Sequence, residues 1–295
     1  MKKLLELSGV TINIKGRNIL QNFSLALSQE TGVIGLVGLN GAGKTTFIKT
    51  IFDWYPLASG SITKYNSHFA FCPDVPDFPT NLTAIEVLRY SSLLSKNKEE
   101  TEDVYKAVLS SVGIKHEDMY REISYFSRGM KQRLGVATVL ILKPHVIFLD
   151  EPTSALDPKG REEMIQLIGE LGKKLLVMFS SHILHDVEKV ADHIIVIHKG
   201  NKIFDGPIVD LPKKNGHNII IKCKNSLSLS RVEELLREND LSVTKLGSEL
   251  YIHFEEMKGI LNLLDEQMLT EIISIKREEH TLENSFDCLI EQSEA

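Results

Sequence analysis

Val33 to Phe52 reads VIGLVGLNGAGKTTFIKTIF. Within it, Gly38 to Thr45 (GLNGAGKT) matches G-x-x-x-x-G-K-[ST], the phosphate-binding loop pattern. An apolar run of strand length, Val33 to Val37, precedes the loop, and a helix is predicted over Thr45 to Phe52. That strand–loop–helix context is what the pattern requires. Glycines at 38, 41 and 43 keep side chains away. Backbone N–H groups of Gly38, Leu39, Asn40, Gly41, Ala42 and Gly43 can then turn toward phosphate oxygens. The positive end of the following helix, at Thr45 and Thr46, meets the same anion. Lys44 can reach the β- and γ-phosphates of a nucleotide, and the Thr45 hydroxyl can ligate Mg²⁺.

The rest of the chain sets bounds on this reading. Its 295 residues suffice for one large domain, or a larger and a smaller one. At 42% hydrophobic and 25% charged it has an ordinary globular composition. The net charge of −6 provides no basic field, so no nucleic-acid partner is expected. No stretch approaches the roughly 18 consecutive apolar residues of a membrane span. The Met1–Lys2–Lys3 start lacks the apolar core of a signal peptide. Three widely separated cysteines, Cys72, Cys223 and Cys288, read as reduced thiols in a cytoplasmic protein. Any membrane process served by this chain needs another subunit to supply the membrane part.

Short apolar strands separated by the Lys15–Gly16–Arg17 turn predict antiparallel pairing over Leu4 to Leu27. Ser59–Gly60 reads as a turn and His68 to Cys72 as a strand. From about residue 80 to 142 the period becomes helical, which predicts an all-helical insert that Lys143–Pro144 closes. Strands at Val146–Leu149, Leu175–Phe179 and Ile194–Ile197 then alternate with helices at Arg161–Lys173 and Leu184–Val190. That alternation argues a parallel sheet with helices outside it. A break runs from Asp205–Gly206–Pro207 to Asn215–Gly216, placing a boundary near residue 210. Beyond it, 217–295 reads βαββαβ, the ferredoxin-like order, followed by a last helix. The fold class is therefore α/β, with a small C-terminal α+β region.

A second constellation is Val146–Ile147–Phe148–Leu149–Asp150–Glu151, an apolar strand delivering two carboxylates at its C-terminal end. In open α/β sheets ligands bind at that edge. Asp150 is a candidate Mg²⁺ ligand. Glu151, one residue on, is a candidate to orient and polarise an attacking water. A third is Ser127–Arg128–Gly129–Met130–Lys131–Gln132–Arg133, with Ser and Gly at a helix start suited to an anion. The phosphate loop, F-S-R-G-M-K-Q-R and LDEPTSALD together resemble the nucleotide-binding subunit of an ABC transporter, in the family's order from Leu4 to Pro207.

This resemblance implies a P-loop NTPase core with an antiparallel β subdomain and a helical insert over about 80–142. It implies two such subunits packed head to tail, a homodimer, around two ATP molecules. Ser127 and Gly129, with Arg128 between them, would face the γ-phosphate held by Lys44 of the other subunit. Ser154–Ala155–Leu156–Asp157 matches the loop linking the two sites, and Asp157 belongs to the nucleotide set. Ser180–Ser181–His182 matches the switch, with His182 contacting the γ-phosphate and orienting Glu151. Permease subunits in the membrane would be its partners, at the inner face of the cell membrane. A single cassette followed by a small α/β region, ending Leu282–Glu283–Asn284–Ser285–Phe286, is similar to the separate ATPase subunits of exporters.

Three positions and one segment depart from the family pattern. Ile14 stands where an aromatic ring usually stacks on adenine. Asp74, after Phe71–Cys72–Pro73, stands where a Gln usually touches Mg²⁺ and the membrane subunit; a carboxylate is itself a good Mg²⁺ ligand. Arg128 replaces the first Gly of the usual pair, which is tolerated if its side chain points outward. The segment between Lys44 and Asp74 is short for the family, implying a trimmed hairpin. Two other readings stay open: a non-transport ABC ATPase, and a regulatory switch whose C-terminal unit senses a ligand. The chain has neither the second cassette nor the long heptads that mark many non-transport members.

Overall fold

The computed structural model describes residues 3–28, 31–65, 67–94, 100–154, 156–211, 218–253, 260, 263–264, 266–277 and 282–294. The chain divides into two compact units, 1–211 and 212–295.

In the first unit, β1 (Leu5–Ile14) and β2 (Arg17–Leu27) pair antiparallel about the Lys15–Gly16 turn. The phosphate loop connects β3 (Gly32–Val37) to α1 (Lys44–Ile51). In place of the hairpin the sequence suggests, a single strand, β4 (Ser59–Lys64), lies antiparallel to β1. Ser59–Gly60 is thus the start of a strand and not a turn. Gly60 is required there because its φ is +88° and an added Cβ would meet the Gly9 carbonyl oxygen at 2.4 Å.

Next come β5 (Phe69–Cys72) and the helical insert: α2 (Ala84–Leu94), α3 (Glu102–Ser111), a one-turn α4 (His116–Met119) and α5 (Arg128–Leu140). A reciprocal cap starts α2. Glu86 accepts from the Thr83 N–H at 2.8 Å, and the Thr83 hydroxyl oxygen accepts from the Glu86 N–H at 3.3 Å. Leu88, Tyr105, Leu109 and Leu134 are buried in this insert.

The chain then returns to the sheet with β6 (Val146–Leu149), α6 (Pro158–Gly172), β7 (Leu176–Ser181), α7 (Leu184–Val190), β8 (His193–His198) and β9 (Asn201–Pro207). The six-stranded order is β5-β6-β7-β3-β8-β9. All neighbours are parallel except β9, which runs antiparallel to β8. Asp205–Gly206–Pro207 therefore ends an edge strand before any linker starts; proline is tolerated there because an edge strand leaves N–H groups unpaired. Every residue of β6 and β7 is buried, as expected for a parallel sheet covered on both faces. One apolar core links Leu7, Phe23, Leu36, Phe47, Phe148 and Ile195, so α1 is packed by both sheets of this unit.

The second unit contains β10 (Asn218–Cys223), α8 (Ser226–Glu238), β11 (Val243–Leu246), β12 (Glu249–His253), α9 (Glu266–Glu271), β13 (Ile272–Arg277) and α10 (Leu282–Glu294). Its sheet order is β11-β12-β10-β13, antiparallel throughout. α8 starts four residues before the expected Ser230 because the Asn225 side chain caps it, accepting from the Ser228 N–H at 2.9 Å. Ile221, Val232, Leu236 and Leu250 form the core of this unit. Most of the helix expected over 256–267 lies outside the described residues, as do Ala155, Asn215, Gly216 and Phe254. Among the described residues, no helix is long and apolar enough to cross a membrane.

Candidate active site

β3 carries the chain to the middle of the parallel sheet, and the loop after it turns at Gly43, whose φ is +111°. Only glycine takes that conformation without strain, and the turn leaves the first N–H groups of α1 unpaired for an anion. Lys44 is 6% exposed, and its ammonium donates to the Gly38 carbonyl at 2.7 Å. It also lies 3.2 Å from Glu151 Oε1. On the other oxygen, Glu151 Oε2 is 2.8 Å from His182 Nδ1. Lys44, Glu151 and His182 thus converge, although they belong to α1, the end of β6 and the end of β7.

These three line a cavity of about 470 Å³ with Leu39, Asn40, Gly41, Ala42, Gly43, Thr45, Thr46, Asp74 and Ser154. Gly38 lies beneath it, offering its carbonyl to Lys44. Asp150 also sits behind the lining, 2% exposed. It accepts hydrogen bonds from the Ser180 hydroxyl at 2.6 Å and from Thr45. Burial pushes the Asp150 carboxyl up, and the neighbouring Asp74 and Glu151 charges add to this against those two hydrogen bonds. Burial likewise pushes the adjacent Cys72 thiol up to about 12, leaving it unreactive.

Ile14 does not line this cavity. It ends β1 opposite Arg17, and its side chain packs against the apolar core. Ile19 of β2 lines the cavity in its place, past the hairpin. The hairpin turn reverses the chain between the two, and sequence alone does not say which side of it meets the loop.

Ser127, Arg128, Gly129 and Asp157 are together in a different cavity, of about 740 Å³, which shares no lining residue with the first. Ser127 caps α5, its Oγ accepting from the Met130 N–H at 3.2 Å. Arg128 is exposed. Asp157 caps α6, accepting from the Gly160 N–H at 2.9 Å. The chain therefore carries two separate cavities, one lined by the phosphate loop and Glu151, the other by an N-terminal helix end and a serine.

The donor set also bears on Mg²⁺. Among the described residues no group of three His, Cys, Asp or Glu could hold a metal with protein ligands alone. Thr45, Asp150 and Asp74 instead supply hard oxygens beside a phosphate cradle. This suits Mg²⁺, which keeps waters and completes its shell from substrate phosphates.

Known proteins resemble this chain in sequence and in fold. A family model described as ABC transporter matches residues 20–154. The bacitracin transport ATP-binding protein BcrA of Bacillus licheniformis is 33% identical over 278 residues, covering 89% of each chain. The chain belongs to the ABC transporter ATP-binding proteins. The linearmycin resistance ATP-binding protein LnrL of Bacillus subtilis (strain 168) is 30% identical over 293 residues, covering 92% of this chain and 93% of its own. A solved ATP-binding subunit of an ABC transporter superposes with TM-score 0.61 at 25% identity, over 70% of this chain and 91% of its own. The ADP- and phosphate-bound dimer of the cassette MJ0796 shares the fold, with TM-score 0.61 at 21% identity over 69% of this chain and 98% of its own. As an ABC ATP-binding protein, the chain is an ATPase subunit of a transporter.

Sequence reasoning did not identify three features of this site. Ile19 carries no motif. Ser180 stands in the Ser–Ser–His run, but no local signal ties it to Asp150, 30 residues away. Arg161, partly exposed, joins the buried Thr153 and Asp186 in a cluster, Thr153 donating to Asp186 at 2.7 Å and Arg161 donating to it at 2.6 Å. Its members come from the loop after β6, from α6 and from α7.

Proposed function

We propose that this ATPase subunit works as a homodimer at the cytoplasmic face of the membrane, powering export through separate permease subunits. One observation carries the assignment: Lys44, Glu151 and His182 meet in one cavity while Ser127 and Gly129 lie in another. One chain then holds two halves of different sites, and a second copy packed head to tail completes both. The direction of transport is supported by relatives named for bacitracin transport and linearmycin resistance, whose similarity runs through the C-terminal unit.

In this reading the loop N–H groups, apart from that of Ala42, which donates to the Leu39 carbonyl at 3.1 Å, and the Lys44 ammonium bind the β- and γ-phosphates of ATP. Thr45, Asp150 and Asp74 would hold Mg²⁺, which neutralises phosphate charge when bound. Glu151 accepts a hydrogen bond from the attacking water and takes its proton as the water oxygen bonds to the γ-phosphorus. The bond from that phosphorus to the bridging oxygen breaks, leaving ADP and phosphate. His182 keeps the Glu151 carboxylate oriented. Ser127 and the N–H groups at the start of α5 bind the γ-phosphate from the other subunit. ADP lacks that group, so hydrolysis loosens the interface and biases a two-state element.

Glu151→Gln tests this reading. The amide keeps size and shape but cannot accept a proton. Steady-state hydrolysis should fall by about 10²–10⁴-fold while ATP binding persists. An ATP-bound dimer should accumulate in sedimentation, and Ser127→Arg should abolish that dimer while each monomer still binds nucleotide. Parental turnover by Glu151→Gln would overturn the assigned base. A normal ATP-bound dimer of Ser127→Arg would overturn the shared site.

A further inference from the structure

Ser180 lies in β7, inside the parallel sheet, and is fully buried behind an apolar run from Leu176 to Phe179. A hydroxyl in such a place is costly unless both its proton and its oxygen are bonded. Here both are used, on two adjacent residues. Ser180 donates to Asp150 Oδ1 at 2.6 Å and accepts from the Glu151 backbone N–H at 2.8 Å. The pairing register makes this possible: β6 and β7 align Leu149 with Phe179, so the next residues, Asp150 and Ser180, fall opposite each other just past the ladder.

The backbone at this point is unusual. Glu151 has a φ of +44°, in the left-handed region that residues other than glycine rarely adopt. Such conformations persist when their surroundings over-determine them. The N–H bonded to Ser180 is the one that fixes the peptide entering that conformation. The side chain leaving it reaches Lys44 on one oxygen and His182 on the other. The same hydroxyl shares the Asp150 carboxylate with Thr45's hydrogen bond.

We infer that Ser180 is a positioning residue for ATP hydrolysis, its one hydroxyl clamping the Asp150 carboxylate and the Glu151 backbone into a single arrangement. The inference rests on the roles proposed above for Asp150 and Glu151. Ser180 does not touch substrate. Without its hydroxyl, a buried N–H is orphaned and the Glu151 peptide is free to leave its left-handed conformation. Misplacing a catalytic group by about 1 Å can cost roughly 100-fold in rate. Substrate affinity, set by the loop and Lys44, is largely spared.

The test measures steady-state hydrolysis and ATP binding for Ser180→Ala, Ser180→Gly and Ser180→Thr in the full chain, beside Glu151→Gln. Ala and Gly are expected to lower kcat by about 10- to 100-fold, with KM within about threefold of the parent, the signature of a loss confined to the transition state. Thr keeps the hydroxyl and should return kcat to within about threefold. Parental rates for Ala and Gly, with Glu151→Gln inactive, would overturn the role of Ser180 alone. Parental rates for Glu151→Gln would instead overturn the underlying reading of the site. A fall in kcat matched by an equal loss of ATP affinity would assign Ser180 to binding and overturn the inference. So would a Thr variant that melts like the parent yet is as slow as Ala. Should the extra methyl of Thr lower its melting point, the Ala and Gly pair decides.

Discussion

Replacing Asp186 should unfold the ATPase unit more readily than any surface ion pair could. Its carboxylate is 3% exposed and has two partners: the Thr153 hydroxyl at 2.7 Å and Arg161 Nε at 2.6 Å. Asp186→Ala orphans the Thr153 hydroxyl, itself 1% exposed, at a cost of about 1–3 kcal/mol. Breaking a fully buried pair costs about 3–5 kcal/mol. Arg161 is 31% exposed, so its guanidinium recovers water and only part of that figure applies. The two contributions overlap, and about 3 kcal/mol is expected. Asp186→Asn keeps the shape and one acceptor, so about half that loss should follow.

The assay is urea unfolding followed by the fluorescence of Trp54, the chain's one tryptophan, which lies in the first unit with its ring 5.7 Å from Phe71. With a slope near about 3 kcal/mol/M, the Ala variant's midpoint should fall by roughly 1 M at unchanged slope. A fall of less than about 0.3 M would mean that the cluster behaves as an exposed pair, and the reasoning from burial would be refuted.

Other consequences can be checked more quickly. Ile19→Ala should weaken ATP binding by about fivefold, near 1 kcal/mol of lost apolar contact. Ile14→Ala should lower the melting point and leave the ATP dissociation constant alone; equal binding losses in both would place the base elsewhere. Gly38→Ala should abolish ATP binding, because the added Cβ would lie 2.5 Å from the Ile197 carbonyl oxygen; titration with a fluorescent ATP analogue reads this directly. At pH 8 a maleimide should modify partly exposed Cys288 first and leave Cys72 untouched, since burial puts the Cys72 thiol at about 12. Mass spectrometry of the labelled peptides would show otherwise if that thiol ionised.

Chemistry held in contiguous residues was legible from the chain alone. The glycine loop, the apolar run ending Asp150–Glu151 and the serine opening α5 each lie within about one strand, turn or helix end. Their short spacing makes each readable as a local pattern of backbone N–H groups or carboxylates. The alternation of strands and helices after residue 146 likewise carries the parallel sheet. Pairing between distant segments was not legible. No local pattern tells β4 to lie on β1 instead of forming its own hairpin, or Asn201–Pro207 to add an edge strand. Those choices follow from which apolar faces remain to be covered once the rest of the unit has packed.

The same division runs through the site. Residue type and motif mark Lys44 and Glu151 as candidates for phosphate chemistry, and the family resemblance adds His182, because those properties travel with the side chains. Strand register alone brings Ser180 opposite Asp150, and only the packed hairpin presents Ile19 to the cavity while Ile14 turns to the core. Separate placement of Ser127 is also a product of packing, since α5 and the phosphate loop open into different cavities. A hydrogen bond needs atoms within about 3 Å, and across 30 residues of chain only the folded sheet sets that distance.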